Sequence, residues 1–266
     1  MGIVNTTPDS FSDGGRFADA QAAVDHCRRL IDEGADILDI GGESSRPGAT
    51  SVSLEQESHR VLPVLEAALA MGRPVSLDTT KPALMAQALA LGVDIINDIN
   101  ALNAPGALEA VAAHPSCGVC LMHMQGDPQS MQSKIHYSDV VTQVGHMLSS
   151  RVSALRSRGI AANRIVLDPG IGFGKTVEHN FELLRRQREL LVIGMPLLAG
   201  WSRKSSIGAV TGRDAADRLA GSVAAALAAV LNGASVVRVH DVAATVDALN
   251  VWRAAGLPAT APQDSP

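Results

Sequence analysis

The sequence has 266 residues and a formal net charge of −5, and 46% of its residues are hydrophobic while only 3% are aromatic. The negative charge argues against a general nucleic-acid-binding or membrane-binding surface, so function is expected in a local site. Because aromatic residues are scarce, the core must be built from Ala, Val, Leu and Ile, which is typical of parallel strands covered by helices on both faces.

Short apolar runs alternate with longer amphipathic stretches along the sequence. About eight such strand–helix units predict an α/β fold, a single-domain (β/α)8 TIM barrel over residues 1–254, with an open doubly wound sheet as the alternative. Residues 255–266 are rich in Pro and Ala and predict a disordered tail. The predicted strands are Gly2–Asn5, Asp36–Gly41, Pro74–Asp78, Val93–Asp98, Gly118–His123, Arg164–Asp168, Pro196–Gly200 and Ser235–His240. The predicted helices include Ala20–Glu33, Leu54–Ala70, Pro82–Leu91, Tyr137–Arg158, Asn180–Leu190, Asp214–Asn232 and Asp241–Ala254.

Three cysteines, Cys27, Cys117 and Cys120, are an odd number and predict no disulfide framework. Cys117 and Cys120 form a CxxC pattern, but they lie in an apolar run that resembles a strand. A redox pair is disfavoured because strand residues three positions apart point to opposite faces. No apolar run is long enough to span a bilayer, and no secretory signal pattern is present, so we expect a cytoplasmic protein.

Nearly every predicted strand ends in a polar residue. In a barrel these ends meet at one mouth, where catalytic groups lie, whereas in an open sheet they spread along an edge. Any one of them could be a helix N-cap, but their recurrence favours a shared site. These residues are Asn5, Asp39, Asp78, Asn97, Asp98, His123, Asp168, Arg238 and His240, with Ser202, Arg203 and Lys204 just beyond the seventh strand.

Three loops contain several glycines. Those spanning residues 7–16 and 41–49 exceed the ~2–6 residues usual for such connections, which favours closure over a bound anion. The run 168–176 resembles a phosphate-binding P-loop, but Pro169 stands where that motif requires glycine. We therefore interpret it as a strand end followed by a loop that allows the backbone to approach a ligand.

The polar residues divide into two chemical groups. Cations near the predicted mouth suit a pyrophosphate, which charge-assisted hydrogen bonds would hold. The carboxylates and amide of Asp78, Asn97 and Asp168 suit a planar nitrogen heterocycle that presents N–H donors and a carbonyl. The predicted cations are Arg46, Lys204, Arg238 and His240.

A magnesium ion fits this sequence better than zinc. Barrel hydrolases with a zinc site carry paired histidines near the first strand, where Asn5 and Thr6 stand instead. Mg2+ needs only one or two protein oxygens when substrate phosphates supply the others.

These motifs, in this order along nearly the whole chain, resemble those of the dihydropteroate synthases. The resemblance implies the condensation of 6-hydroxymethyl-7,8-dihydropterin pyrophosphate with p-aminobenzoate to give 7,8-dihydropteroate and pyrophosphate in folate biosynthesis. It also implies Mg2+, a homodimer and membership of a family that sulfonamides target. The matching segments are residues 2–15, 41–47, 78–82, 96–99, 120–126, 168–175, 202–205 and 238–241.

Site residues follow from the resemblance position by position. The pterin is assigned to Asp78, Asn97, Asp168 and Lys204, with Met122 and Phe173 beside it and Arg238 stacked on the ring. The pyrophosphate is assigned to Asn5, Ser45, Arg46, Arg238 and His240, with Asn5 also at Mg2+. The aminobenzoate pocket is assigned to Phe11, Arg46, Pro47, Ser202 and Lys204. The catalytic groups are assigned to Arg46, Lys204, Arg238 and His240.

Two other functions compete with this interpretation. A pterin-binding methyltransferase of the methyltetrahydrofolate–corrinoid type would share the pterin-binding residues but would not need the pyrophosphate-binding ones. A non-catalytic pterin-binding regulator is disfavoured by Lys204 and by the two long loops.

Overall fold

The computed structural model describes residues 1–7, 15–46, 48–133 and 135–256, with residues 15–19 described by their backbone alone. Within these ranges, eight parallel strands and nine α-helices alternate along the chain. The strands are β1 Gly2–Asn5, β2 Leu38–Gly41, β3 Val75–Asp78, β4 Ile95–Asp98, β5 Gly118–Met122, β6 Ile165–Asp168, β7 Leu197–Ala199 and β8 Ala234–Val237. The helices are α1 Gly15–Asp32, α2 Leu54–Leu69, α3 Pro82–Leu91, α4 Ala107–Ala112, α5 Val140–Ser157, α6 Val177–Arg185, α7 Ser205–Thr211, α8 Leu219–Leu231 and α9 Val242–Ala254.

The sheet closes on itself. The strands pair in sequence order from β1 to β8, and Gly2 of β1 forms a parallel bridge with Val239, just after β8. Around this bridge, Ile3 N donates to Val239 O at 3.0 Å and Val239 N donates to Met1 O at 2.9 Å. The chain is therefore a (β/α)8 barrel, as predicted, and not the open doubly wound sheet.

The core is aliphatic, as the composition predicted. All four residues of β2 are buried, because the barrel interior covers one face of the strand and helices cover the other. Trp201, at 1% exposure, is the largest fully buried side chain in the described part of the chain, and its ring lies 5.3 Å from that of Phe181. The three cysteines are free and buried, so no disulfide constrains the core.

Local signals define the ends of α3 as the sequence indicates. Pro82 occupies the first turn, where its missing N–H costs no helical hydrogen bond. Gly92 ends the helix with φ of 101°, a left-handed conformation that favours glycine. Gly34, Gly159 and Gly233 also have positive φ just beyond helices, as predicted.

Some predicted boundaries were wrong. The sequence did not predict α4 and α7, whose 6 and 7 residues are too few to show a helical period. The single helix predicted over Asn180–Leu190 is α6 followed by a 3-10 segment, Gln187–Ile193. The predicted Asp214–Asn232 helix is likewise a 3-10 turn, Ala215–Asp217, followed by α8.

The predicted division between a barrel domain and a tail lies after residue 254. Helix α9 continues to Ala254, where the predicted barrel domain ends. Residues 257–266 of the predicted tail lie outside the described residues. Among the helices described, none combines the length and the apolar character needed to cross a bilayer.

Candidate active site

The carboxyl ends of neighbouring strands bring the predicted polar residues side by side. Asp78 at the end of β3 is in register with Asn97 of β4, and Met122 at the end of β5 is in register with Asp168 of β6. Register between parallel strands fixes these neighbours, since each strand ends at the same mouth of the barrel.

A guanidinium from the segment just after β8 connects three of the other strands. Arg238 donates through Nε to Asp39 Oδ2 at 2.5 Å and through a terminal nitrogen to Asp78 Oδ2 at 2.7 Å. Asn97 Nδ2 also donates to Asp39 Oδ2, at 3.2 Å. We call these four residues the Arg238 cluster; it joins the ends of β2, β3 and β4 to the segment after β8.

The Arg238 cluster holds two carboxylates against one guanidinium. Asp39 is 0% exposed, and among the described residues its Oδ1 atom has no hydrogen-bond partner. Burial by itself would lower the pKa of Arg238, but the adjacent Asp39 and Asp78 carboxylates raise it above its usual value. Burial raises the pKa of Asp78, and Arg238 only partly offsets this, because the single cation is shared with Asp39.

A second group of charges lies between β6 and the segment after β7. Burial raises the pKa of Asp168, while Lys204 and Arg238 act in the opposite direction. Burial lowers the pKa of Lys204 to about 8, although the Asp168 carboxylate raises it. Lys204 Nζ lies 4.2 Å from the centroid of the Phe173 ring, within cation–π range.

His240 is held by Ser202. His240 N donates to Ser202 Oγ at 3.1 Å, and the same Oγ lies 3.0 Å from His240 Nδ1. When Oγ donates its own proton to Nδ1, the ring proton lies on Nε2. Burial, with nearby Arg203 and Arg238, lowers the pKa of His240 to about 4. In the free protein, burial beside other cations therefore disfavours the charged form predicted for His240.

Apolar side chains border the charged groups. Met122, Phe173 and Met131 form a small buried cluster, with Ile99 and Met124 packed partly exposed against it. Beside it lies a cavity of about 390 Å3, whose lining includes Ser45, Asp78, Ile99 and Met124. The strand ends and the loops that follow them thus combine apolar side chains with carboxylates and cations, as a polar aromatic ligand requires.

Similarity to known proteins agrees with this geometry. The family model described as "Pterin binding enzyme" matches residues 1–240. A dihydropteroate synthase of Neisseria meningitidis serogroup C is 56% identical over 261 residues, which is 97% of this chain and 92% of that protein.

The chain belongs to the dihydropteroate synthase family.

Solved dihydropteroate synthases have the same fold. A Xanthomonas albilineans dihydropteroate synthase with 4-aminobenzoic acid superimposes with a TM-score of 0.91 at 52% identity, covering 97% of this chain and 93% of that one. The Xanthomonas albilineans enzyme in complex with 7,8-dihydropteroate gives a TM-score of 0.88 at 50% identity, covering 97% and 94%.

Not every residue assigned from the dihydropteroate synthase motifs joins the cluster. Arg46 is exposed on the loop after β2, and in the described part of the chain no ion pair joins its side chain to the strand ends. Phe11 and Pro47 lie outside the described residues. Arg203 does not point the same way as its neighbour Lys204, as predicted: its side chain pairs with Asp241 at 2.5 Å.

Sequence reasoning missed two residues of this dihydropteroate synthase fold. Asp39 is a polar residue of a predicted strand to which the motifs assign no role, although it is the buried partner of Arg238. Lys175 was considered only as part of the rejected P-loop, yet its side chain is 3% exposed and lies within the loop after β6. A lysine next to several glycines, and followed by a helix, was the one available signal.

Proposed function

We propose that the chain, as a member of the dihydropteroate synthase family, condenses 6-hydroxymethyl-7,8-dihydropterin pyrophosphate with p-aminobenzoate at the carboxyl ends of its strands. The observation that carries the proposal is the convergence of Asp78, Asn97, Asp168 and Lys204 around Arg238. The Xanthomonas albilineans structures with 4-aminobenzoic acid and with 7,8-dihydropteroate support the same substrate classes.

The pterin is assigned to the carboxylates and the amide. A carboxylate can accept two parallel N–H bonds from an aminopyrimidinone edge, as it does from a guanidinium. Asp168 is 7% exposed and Asn97 is 4% exposed, so water competes weakly for these bonds. Met122 and Phe173 supply an apolar surface for the ring.

Arg238 and His240 are assigned to the pyrophosphate. In the free protein Arg238 already pairs with Asp78, so a ligand must share or replace that contact. The Nε2–H that Ser202 leaves on His240 is a donor suited to a phosphate oxygen. Ser45 and Arg46, on the loop after β2, are assigned to the same anion.

The reaction is a substitution at the exocyclic methylene carbon of the pterin. The bond from this carbon to the pyrophosphate oxygen breaks, and its electron pair leaves with pyrophosphate. The aryl amine nitrogen forms the new bond to carbon and then releases one proton. Positive charge from Arg238 stabilises the leaving group, since its guanidinium is already oriented and partly desolvated.

Asn5 is assigned to Mg2+. It ends β1 and is in register with Gly41, on the same mouth as the Arg238 cluster. Its amide oxygen is the kind of neutral, hard ligand that Mg2+ accepts when phosphates complete the shell. When bound there, Mg2+ would neutralise charge on the departing pyrophosphate.

Ser202 and Lys204 are assigned to the aminobenzoate. Both follow β7 at the same mouth, Ser202 beside His240 and Lys204 beside Phe173. Phe11, Arg46 and Pro47 would complete this pocket from the loops after β1 and β2 if those loops close over the substrate.

We also propose that the protein is a cytoplasmic homodimer. Val210 in α7 and Leu219 in α8 are 61% and 44% exposed, which suits burial against a second copy. Sedimentation should give twice the chain mass of 27.6 kDa. A single species at the chain mass would contradict the dimer.

The activity has a direct test. The purified chain with the pterin pyrophosphate, p-aminobenzoate and Mg2+ should release pyrophosphate and form dihydropteroate, and release should require the aminobenzoate. Methyl transfer to a corrinoid protein in place of pyrophosphate release would favour the methyltransferase alternative.

A substitution of Asp168 tests the pterin assignment. Asp168→Asn can still accept from Gly170 N, which now donates to Asp168 Oδ1 at 2.7 Å, so the fold should persist. Losing a charged acceptor should weaken pterin binding roughly 10- to 100-fold, measured by calorimetry. Asp168→Ala should abolish binding. Wild-type affinity in both folded variants would refute the assignment.

A further inference from the structure

The loop between β6 and α6 packs backbone to backbone on the end of β5. A Cβ atom placed on Gly170 would lie 1.9 Å from His123 O, and one on Gly174 would lie 2.6 Å from Gln125 O. Both glycines also have positive φ, 70° and 59°. No larger residue could replace them without moving the loop away from β5.

The buried side chain of Lys175 connects this loop to the end of β5 by hydrogen bonds. Its Nζ lies 3.0 Å from His123 Nδ1 and 3.3 Å from His123 O, both beyond the end of β5. It also donates to Gly170 O at 2.9 Å and to Phe173 O at 3.0 Å, within its own loop. These four acceptors exceed the three protons of an ammonium group, so each proton has a partner although the residue is only 3% exposed.

The loop that Lys175 organises carries two residues assigned to the pterin. Asp168 begins the loop, and Phe173, whose carbonyl Lys175 binds, presents its ring to Lys204. The charged groups that act on Asp168 are Lys204, Arg238 and Lys175, each of which lowers its pKa. The Cys120 thiol of β5 also faces it, but burial raises the pKa of that thiol, which keeps it neutral.

We propose that Lys175 is a positioning residue for the pterin substrate: it fixes Phe173 against the end of β5 and supplies positive charge to Asp168. This inference rests on the proposed function, because that function places the pterin against Phe173 and Asp168. Because Lys175 Nζ is directed to His123, Gly170 and Phe173, its role is to position these groups and not to bind substrate itself.

The partners of Lys175 distinguish this role from that of a P-loop lysine. Its Nζ is directed to carbonyls and an imidazole of its own surroundings, and is not free to reach a phosphate. Burial, together with the charge of Lys175, lowers the pKa of His123 to about 3, so the imidazole is a neutral acceptor. Burial also lowers the pKa of Lys175 to about 7, while Asp168 raises it.

Arg164 offers a matched control at the other end of the same strand. It precedes β6 and donates to Cys117 O at 2.7 Å, Val111 O at 3.2 Å and Pro115 O at 3.3 Å. Like Lys175, Arg164 is a cation next to β6 that donates hydrogen bonds to backbone carbonyls of the neighbouring β5 segment. Unlike Lys175, it lies at the amino ends of the strands, away from the proposed site.

The experiment compares Lys175→Met with Arg164→Met. Lys175→Met should raise KM for the pterin pyrophosphate roughly tenfold, while kcat and KM for aminobenzoate stay within about threefold. Arg164→Met should lower the thermal midpoint without changing either KM. If Lys175→Met changes both KM values and kcat together, as a general loss of folded protein would, the proposal is overturned.

The pH dependence of pterin affinity distinguishes the effect of the Lys175 charge from the effect of its hydrogen bonds. Pterin affinity should fall as pH drops and Asp168 takes up a proton. Because Lys175 lowers the pKa of Asp168, its removal should move this fall to higher pH. Lys175→Gln keeps a hydrogen-bond donor without charge, so it should raise KM less than Lys175→Met yet show the same shift. If Lys175→Met does not fold, Lys175→Gln replaces it as the test variant. A pH profile of Lys175→Gln that matches the wild-type profile overturns the proposal.

Calorimetric measurement of pterin pyrophosphate binding distinguishes a failure of the proposed function from a failure of the positioning role of Lys175. If wild-type protein binds the pterin but does not release pyrophosphate with aminobenzoate, the proposed function fails. In that case weaker, pH-shifted binding in the Lys175 variants would still support the positioning role, and unchanged binding would end it.

Discussion

At the scale of single residues, one guanidinium determines the charge state of the barrel mouth. Arg238 bonds to Asp39 and Asp78 at the same time, and Asp39 is fully buried with one oxygen that no described residue pairs. A buried charge is tolerated when it is paired, and removal of its partner leaves it uncompensated. Arg238 therefore has a stabilising function as well as the proposed role at pyrophosphate.

Arg238→Gln should consequently destabilise the fold by about 3–5 kcal/mol, because the Asp39 carboxylate loses its cation. Adding Asp39→Asn should recover much of this loss, since a neutral amide oxygen can still accept from Asn97 Nδ2. Urea unfolding of the single and double variants measures both effects. A double variant as unstable as Arg238→Gln would show that Asp39 is not the residue Arg238 stabilises.

At the scale of structural elements, the connection from β4 to α4 holds an unfavourable backbone in place. Ala101 and Leu102 have φ of 52° and 56°, in the left-handed region that residues with a Cβ avoid. Asp98 accepts from Asn100 N at 2.7 Å and from Leu102 N at 2.8 Å. Arg151 donates to the carbonyls of Ala101 and Leu102 at 2.8 Å and 3.0 Å. This connection follows directly from the strand that carries Asn97.

The protonation of Asp98 should make stability depend on pH. Burial raises its pKa from 3.8 to about 6, although the two backbone donors and Arg151 lower it. The folded protein therefore retains a proton that the unfolded chain releases between these values. The contribution is fully present below pH 3.8 and lost as pH rises through about 6, roughly 3 kcal/mol in all.

Urea unfolding between pH 4 and 8 would measure this contribution in wild-type protein and in Asp98→Asn. The variant cannot ionise at position 98, so its stability should change less across the same range. Parallel profiles would contradict the assignment to Asp98.

At the scale of the whole molecule, the site exists only because the sheet closes. Arg238 and Asp39 are 199 residues apart in the chain, and the bridge from Gly2 to Val239 brings their strands together. Ligands that engage several strand ends should therefore stabilise the entire barrel, because the unfolded chain has no such site.

Pyrophosphate with Mg2+ should accordingly raise the thermal midpoint. At a ligand concentration of 100 Kd the expected gain is about 2.7 kcal/mol. Arg238→Gln should lose most of this gain, whereas Arg164→Met, altered at the amino ends of the strands, should retain it. An equal gain in Arg238→Gln would place the anion elsewhere.

The sequence by itself determined the barrel and most of the residues at its mouth. Alternating apolar runs and amphipathic stretches indicate strands and helices locally, and polar residues at strand ends mark one face of a parallel barrel. Short elements such as α4 are not predicted by the sequence, because they contain too few turns to show a helical period.

Only the tertiary structure decided how these residues pair. Arg238 donates to Asp39 as well as to Asp78. The side chain of Lys175 is buried and contacts His123, just after β5. His240 is neutral because it is buried near Arg203 and Arg238. Partners and protonation depend on distances between residues remote in the chain and on their exclusion from water, and both arise only when the barrel closes.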